Sequence, residues 1–507
     1  MALTLQTDPV NLERIKVARN RVDLNRPGAL EALQKLLTDP TAAPEQYEAL
    51  SAEFPLQFAG GVKPATTEAH NKAKALLAKK NDKALLTLRS GDEISYENPP
   101  RLTTGCLAID FVLGGGPARG YIGQFKGADS NGKTFTALKT VANVLLRGGR
   151  VLWVAAERFD KDWARRCKVC IPFGKAEMVS AGPQPGDDPN TVAQKKQYVL
   201  QMQQYNAMHP EGEFFDLATG RNGDELLQLV VDAITLNVYD LIVVDSIAVL
   251  RREKILDEKD VGDETMGGEA KMINDFCARA ESAFNAVEAQ RGMVISELLT
   301  CKCGVAVSAK KEHTHCSNGD KAKFVGNQQE IGAPVRSAVI VINQIRDRGI
   351  GSPFAQAPDA GGGWGLRHGK GYDLEFQASE PLTTTVGNRV VPYGKRVKVR
   401  TTKSKICPPF RDAVFEMYYA DIPGFSEAGE FNPLVDLIGC KWKDNEKITG
   451  LGELCGVVRF ESPHYYIGEQ RFHGFPKFKE YLENPLNSHV LQTMRAAIMA
   501  WIQGGGV

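Results

Sequence analysis

The chain has 507 residues, and single hydrophobic cores stop growing near ~250 to 300, so several domains are expected. Its 62 basic and 61 acidic residues leave a net charge of +1, so any nucleic-acid contact must come from local patches and loops and not from a basic whole. No run approaches the ~20 apolar residues of a membrane span, and Met1 to Asn20 carries Asp8, Glu13, Arg14 and Lys16 in place of an apolar signal core. The ten cysteines lack a secreted-scaffold rhythm, which with the other features predicts a cytoplasmic chain with no membrane partner.

In chain order, Leu12 to Val22 and Gly28 to Leu37 are amphipathic enough for helices, and the segment from Pro40 to Pro44 breaks them. Asn71 to Lys80 reads as a helix and Ala84 to Leu88 as a strand. An apolar run ending at Phe125 then leads into Gly127-Ala128-Asp129-Ser130-Asn131-Gly132-Lys133-Thr134, followed by a helical stretch from Phe135 to Leu146. This is the G-x-x-x-x-G-K-[ST] phosphate loop between a strand and a helix. Gly127 and Gly132 allow the tight turn, backbone N–H groups cradle polyphosphate, Lys133 meets the β and γ phosphates, and Thr134 offers a hydroxyl to Mg²⁺. A nucleoside triphosphate and Mg²⁺ are the ligands this predicts.

Val151 to Glu157 is a strand-like run ending in a carboxylate, and Leu241 to Asp245 is a continuous apolar run of the kind buried on both faces of a parallel sheet. Asp245 stands where such sheets bind ligands and is the second candidate for Mg²⁺, against the alternative of a cap or turn residue. Glu157 is a candidate base for the water attacking the γ-phosphate, or else a surface or salt-bridged carboxylate. Further on, Cys301, Cys303, His313, His315 and Cys316 cluster within an insertion at about 288–334. They fit either a tetrahedral Zn²⁺ site or a polar β-hairpin carrying reduced cysteines. Strands near Arg396 to Tyr419 precede a smaller C-terminal segment that ends in two helices, Phe478 to Pro485 and Ser488 to Trp501.

From about residue 69 onward the motif order resembles bacterial RecA and its phage-encoded relatives. The resemblance rests on Thr103 to Asp110, the phosphate loop, Ala156 to Asp160, Ile242 to Ser246, Val261 to Gly267, Ile342 to Arg346, Gly361 to Gly363, and Arg396 to Phe410. It implies an α/β fold: a RecA-like P-loop ATPase core with a mostly parallel sheet at 101–422, an N-terminal helix and strand polymerisation arm at 69–100, and a small C-terminal α/β domain at 423–507. Residues 1–68 are then a helical extension of unknown role.

The resemblance also assigns roles. Glu157 matches the water-activating glutamate, Asp160 and Trp163 an adenine-contacting Asp and a stacking ring, and Gln344 the γ-phosphate sensor. Lys403 and Lys405 match two lysines that reach a neighbouring subunit's ATP, which implies a self-assembled helical filament. Two loops would hold DNA, one at about 257–268 with Gly262, Met266 and Gly267, the other at about 346–362 with Arg346, Arg348 and Phe354. The sequence departs from the family after Gly363, where Trp364-Gly-Leu-Arg367-His-Gly-Lys370-Gly-Tyr372 replaces a more helix-prone stretch. There Asp373 takes the place of an interface arginine, with Lys370 as a possible substitute. The implied function is a DNA-dependent ATPase that forms filaments on single-stranded DNA and exchanges strands with double-stranded DNA in recombination and repair. The alternative is an ATP- and DNA-binding scaffold or mediator.

Overall fold

A computed structural model of the protein describes residues 101–251, 268–291, 294–307, 314–316, 320–346, 359–360, 363–422, 426–441 and 447–504, with residues 28, 31, 32, 35, 36, 46, 49 and 50. The expected 12–22 helix, the 69–100 arm and residues Gly262, Met266, Gly267, His313, Arg348 and Phe354 lie outside them, as does the Arg346 side chain. Two compact units divide the chain, Met1–Ile94 and Ser95–Val507. In the first, residues 31, 32, 35 and 36 are helical.

The second unit is built on a nine-stranded sheet. Its strands are β1 (Ile122–Gly127), β2 (Val151–Ala155), β3 (Phe215–Thr219), β4 (Leu241–Asp245), β8 (Ala338–Arg346), β9 (Asp359–Ala360), β10 (Tyr372–Val386), β11 (Arg389–Arg400) and β12 (Asp412–Tyr418). The order β12-β11-β10-β1-β8-β4-β2-β3 is parallel from β10 to β3, and β10, β11 and β12 pair antiparallel; β9 pairs β8.

The apolar runs are continuous because both faces of the parallel part are covered. On one face Phe125, Trp153, Leu241, Val243, Ile340 and Ile342 meet Leu138, Val141 and Leu145 of α2 (Lys133–Leu145). The alternate residues Ile122, Leu152, Val154, Ile242, Val244 and Val341 meet the helices α6 (Gly223–Leu236) and α7 (Gly268–Gln290) on the other. Short α1 (Leu107–Val112) precedes β1, while α3 (Lys161–Arg166), α4 (Lys175–Ala181) and α5 (Pro189–Met208) lie between β2 and β3. An aromatic series crosses the first layer from Trp163 through Phe135, Phe431, Phe415 and Phe376 to Phe125, with centroid separations between 4.9 and 6.2 Å.

Between α7 and β8 the chain forms a separate three-stranded sheet from β5 (Val294–Cys301), β6 (Ala306–Val307) and β7 (Phe324–Ile331), ordered β6-β5-β7. Despite its glycines, the stretch after Gly361 contains a helix, α8 (Gly363–Gly369). Gly365 and Gly369 explain the tolerance: a Cβ at either would lie 1.6 Å from Asn274 Oδ1 or 2.7 Å from Cys277 Cβ on α7, so small residues let the two helices approach.

The C-terminal segment carries α9 (Pro433–Ile438), α10 (Gly474–Glu483), α11 (Ser488–Gln503) and two small sheets, one of β13 (Gly439–Lys441) and β14 (Lys447–Thr449), the other of β15 (Arg459–Glu461), β16 (His464–Ile467) and β17 (Gln470–His473). It shares the core of the phosphate-loop layer. Trp501 stacks on Phe111 at 6.0 Å, and buried Asp436 accepts from Leu107 N at 2.9 Å and Ala108 N at 3.4 Å, supplying the cap that α1 lacks from its own N-cap residue. Arg495 lies 3.7 Å from that carboxylate and donates to Gly105 O at 2.8 Å. Among the described residues no helix is long and apolar enough to cross a membrane.

Replacing Asp436 by Ala leaves two amides and Arg495 without this acceptor and should destabilise the unit by about 1 to 3 kcal/mol, whereas Asp436→Asn, keeping one acceptor oxygen, should cost less. Urea unfolding checks this, and equal losses in the two variants would contradict the capping role.

Candidate nucleotide site

The phosphate loop leaves the carboxyl end of β1 at Gly127 and enters α2 at Lys133. Its shape requires glycine at both ends. Gly127 has φ +156° and a Cβ there would lie 2.4 Å from Phe376 O; Gly132 has φ +94° and a Cβ there would lie 2.8 Å from Met417 Sδ. Gly132 offers α2 no side-chain cap, so the first-turn amides remain directed into the loop, where an anion is stabilised. The loop is braced from the adjoining strands. Asn131 Nδ2 donates to Gln377 O at 2.9 Å, Ser379 donates to Asn131 Oδ1 at 2.9 Å, and Lys395 Nζ donates to Ser130 O at 3.0 Å. Ala128, Asp129 and Ser130 are exposed on the loop's crest.

Lys133 is 6% exposed and folds its ammonium back onto the loop, donating to Gly127 O at 3.0 Å and Ala128 O at 2.7 Å. Burial lowers its pKa, opposed by the negative charges of Asp129, Asp245 and Glu157. Thr134 Oγ1 donates to Asp245 Oδ2 at 3.3 Å. Burial pushes the Asp245 carboxyl up to about 7, with the Glu157 charge adding to the rise and Thr134 and Lys133 opposing it. A hydroxyl and a half-buried carboxylate, both hard oxygen donors, fit Mg²⁺ with its remaining positions left to water and phosphate.

Parallel register places the other residues. Ala155 pairs with Asp245 across β2 and β4, so Glu157, two residues on, stands beside it, its N–H donating to Asp245 O at 3.2 Å. Ser246 donates to Glu157 Oε1 at 2.7 Å and fixes its carboxylate; the sequence reading missed this clasp, for which adjacency to Asp245 was the signal available. Gln344 pairs with Gly127 itself across β8 and β1, and β8 ends at Arg346, where the expected second DNA loop begins. Trp163 packs on Phe135, the residue after Thr134, at 6.2 Å. Asp160 spends one carboxylate oxygen capping α3, accepting from Asp162 N and Trp163 N at 3.0 Å each, and so holds Trp163 in place.

Lys403 and Lys405 are not gathered into this site. Asp373 faces Gln124 in the β10–β1 register, three residues before Gly127, or about 10 Å along the strand. Lys403 N donates to Asp373 Oδ1 at 2.8 Å, and its Nζ turns further back onto the carbonyls of Arg367 at 2.5 Å and His368 at 3.1 Å at the end of α8. Lys405 and Arg367 are exposed.

Lys370 does not act as a free interface cation, which corrects the sequence expectation. It is 5% exposed, and its Nζ donates to Gln124 Oε1 and to Asp373 Oδ2 at 2.7 Å each. Asp373, read from sequence only as a lost arginine, is instead a hub. It also accepts from Thr402 N at 2.9 Å and Thr402 Oγ1 at 2.8 Å and lies 3.3 Å from Lys126 Nζ. Burial would raise its pKa, but Lys370 and Lys126 with these donors overcome that and hold it down at about 2.

A carboxyl ordinarily at 3.8 and held at about 2 stabilises the fold above its unfolded pKa, and the stabilisation is lost as pH falls through the folded value. Of about 2 kcal/mol in total, about 1 kcal/mol should vanish between about pH 5 and pH 3 in the wild type and be missing from the pH dependence of Asp373→Asn. Parallel pH curves in urea unfolding would contradict this.

No family model matches the chain. It is similar to the RecA protein of Chlorobium limicola, 26% identical over 379 residues covering 74% of this chain and 79% of that one, and to RecA of Roseiflexus castenholzii, 24% identical over 419 residues covering 82% and 86%. RecA of Syntrophobacter fumaroxidans is 25% identical over 380 residues, covering 75% and 82%. A crystal structure of the RadB recombinase aligns with 62% of this chain and 96% of its own at 17% identity, with a TM-score of 0.32. The similarity to these RecA proteins thus extends along most of both chains.

Proposed function

We propose that the protein is an ATPase of recombination that assembles as a helical filament on single-stranded DNA and pairs it with homologous double-stranded DNA. The observation that carries the reading is the division of labour along the β1–β10 pair. Lys133, Thr134, Asp245 and Glu157 meet at the carboxyl end, while Lys403 is held toward the other end, turned away from its own phosphate loop. A cation so placed is suited to a neighbouring subunit's nucleotide, where it completes the site only after assembly.

Lys133 leaves the loop carbonyls for the β and γ phosphates as the loop amides close on them. Thr134 and Asp245 would hold Mg²⁺, which would supply positive charge to offset that of the phosphates. Glu157, aimed by Ser246, orients the attacking water and takes its proton. Lys403 and Lys405 stabilise the charge on the γ-phosphoryl oxygens from the next subunit. Gln344, paired with the loop's first residue and two residues from the end of β8, couples the occupied site to Arg346, Arg348 and Phe354. These, with Gly262, Met266 and Gly267 before α7, grip the DNA strand. Trp163 stacks on the adenine and Asp160 contacts its edge with the oxygen not used in capping.

Glu157→Ala should bind nucleotide and assemble while turnover falls by about 10² to 10⁴. Lys403→Ala should bind nucleotide and lose DNA-stimulated turnover. Mixing these two inactive variants tests the shared site, because a subunit with intact Glu157 can then border one with intact Lys403. Random assembly should restore on the order of a quarter of wild-type turnover. No recovery on mixing would reject action in trans, and undiminished turnover in Lys403→Ala would favour the scaffold or mediator reading.

A further inference from the structure

Three thiols converge at one end of the small sheet formed by β5, β6 and β7. Cys301 ends β5, where the chain turns at once: Gly304, at φ +89°, donates to Cys301 O at 2.9 Å, and Cys301 N donates to Val305 O at 2.8 Å. Cys303 is thereby set on a tight turn beside Cys301. A second turn presents Cys316, whose N–H donates to Asp320 O at 2.7 Å, with Ala322 N bonded to Thr314 O at 2.9 Å and His315 bridged antiparallel to Lys321. Lys302 N donates to Lys323 O at 2.8 Å and joins the two turns.

The three sulfurs all lie within 4.8 Å of one another, with Cys301 Sγ and Cys316 Sγ 3.5 Å apart. Zinc–sulfur bonds of about 2.3 Å at tetrahedral angles place sulfurs about 3.8 Å apart, which this spacing matches. A disulfide needs about 2.05 Å and would leave the third thiol over; none of the three is in a disulfide. One member is buried, one intermediate and one exposed, so the cluster has a dry side and a solvent side. Lys302, Lys321 and Lys323 on the same turns offset the single negative charge that three thiolates leave around a divalent ion.

We propose that Cys301, Cys303 and Cys316 bind zinc as three thiolates, releasing three protons, with the fourth position on the solvent side, and that the ion pins the two turns of the insertion. A three-stranded sheet with one strand of two residues has little core, and ligation supplies the folding free energy it lacks. This reading does not depend on ATP hydrolysis. A second group, Cys170, His209 and Glu211, also lies within ligand distance but offers one thiol in place of three, with Cys170 Sγ donating to Glu211 Oε1 at 3.1 Å and His209 Nδ1 2.9 Å from the same oxygen. It serves as the control.

Full-length protein purified under reducing conditions without chelator should carry about one zinc per chain by mass spectrometry of the metal. Cys303→Ser and Cys316→Ser should lose it, and Cys170→Ser should keep it. Cobalt added to the chelated wild type should give thiolate-to-metal charge-transfer absorption, and chelation should open the insertion to proteolysis while ATP binding persists, which separates metal loss from misfolding. Zinc-free wild type with no cobalt absorption after reduction would overturn the proposal. So would zinc that follows Cys170 and not Cys303, or a Cys301–Cys316 disulfide formed in place of the metal.

Discussion

Everything at the nucleotide site depends on the parallel register of β1, β8, β4 and β2. Because these strands run the same way and start level, their carboxyl ends release the phosphate loop, Gln344, Asp245 and Glu157 along one edge of the sheet. A slip of one residue would turn each of these side chains to the opposite face and exchange the two apolar layers. Burial on both faces forbids that slip, so the same Val and Ile residues that hold the core together also fix the spacing of the chemistry. The partial burial of Asp245 follows from the same packing and pushes its carboxyl up to about 7.

That constraint explains what could be read in advance. The runs at 151–155 and 241–245 are apolar on both faces and short, a pattern open to few folds, and the phosphate loop between a strand and a helix is a local geometry written in local residues. The helical Ser488–Gln503 and the antiparallel strands around 396–419 were legible in the same way. What could not be read were contacts between distant segments. Nothing near Asp373 in the sequence announces Thr402, 29 residues away, or Lys126 on another strand. Its appearance as a missing arginine concealed a buried hub, and Lys370, which looked like a free cation, is that hub's partner. Likewise the C-terminal segment reads as a unit of its own, yet Asp436 and Trp501 make it part of the core around α1.

The hub also bears on the proposed sharing of the site between subunits. Lys126 immediately precedes the phosphate loop; it donates to Thr402 Oγ1 at 3.1 Å, pairs with Glu375 at 3.0 Å and lies 3.3 Å from Asp373, which accepts from the backbone of Lys403. A subunit's own loop and the lysine it would lend to its neighbour thus meet at the Asp373 carboxylate. Breaking a buried charge pair of this kind is costly, which keeps Lys403 in one position instead of leaving it on a mobile tip. A cation acting across a subunit boundary needs that preorganisation, since it cannot rely on its own site to orient it.

The most direct test is ATP hydrolysis by the purified full-length chain with and without single-stranded DNA, beside Lys133→Ala prepared in the same way. Turnover that rises strongly with DNA and disappears in the variant is the predicted result. ATP bound but hydrolysed no faster with DNA, or DNA-stimulated hydrolysis that survives the loss of Lys133, would contradict the account.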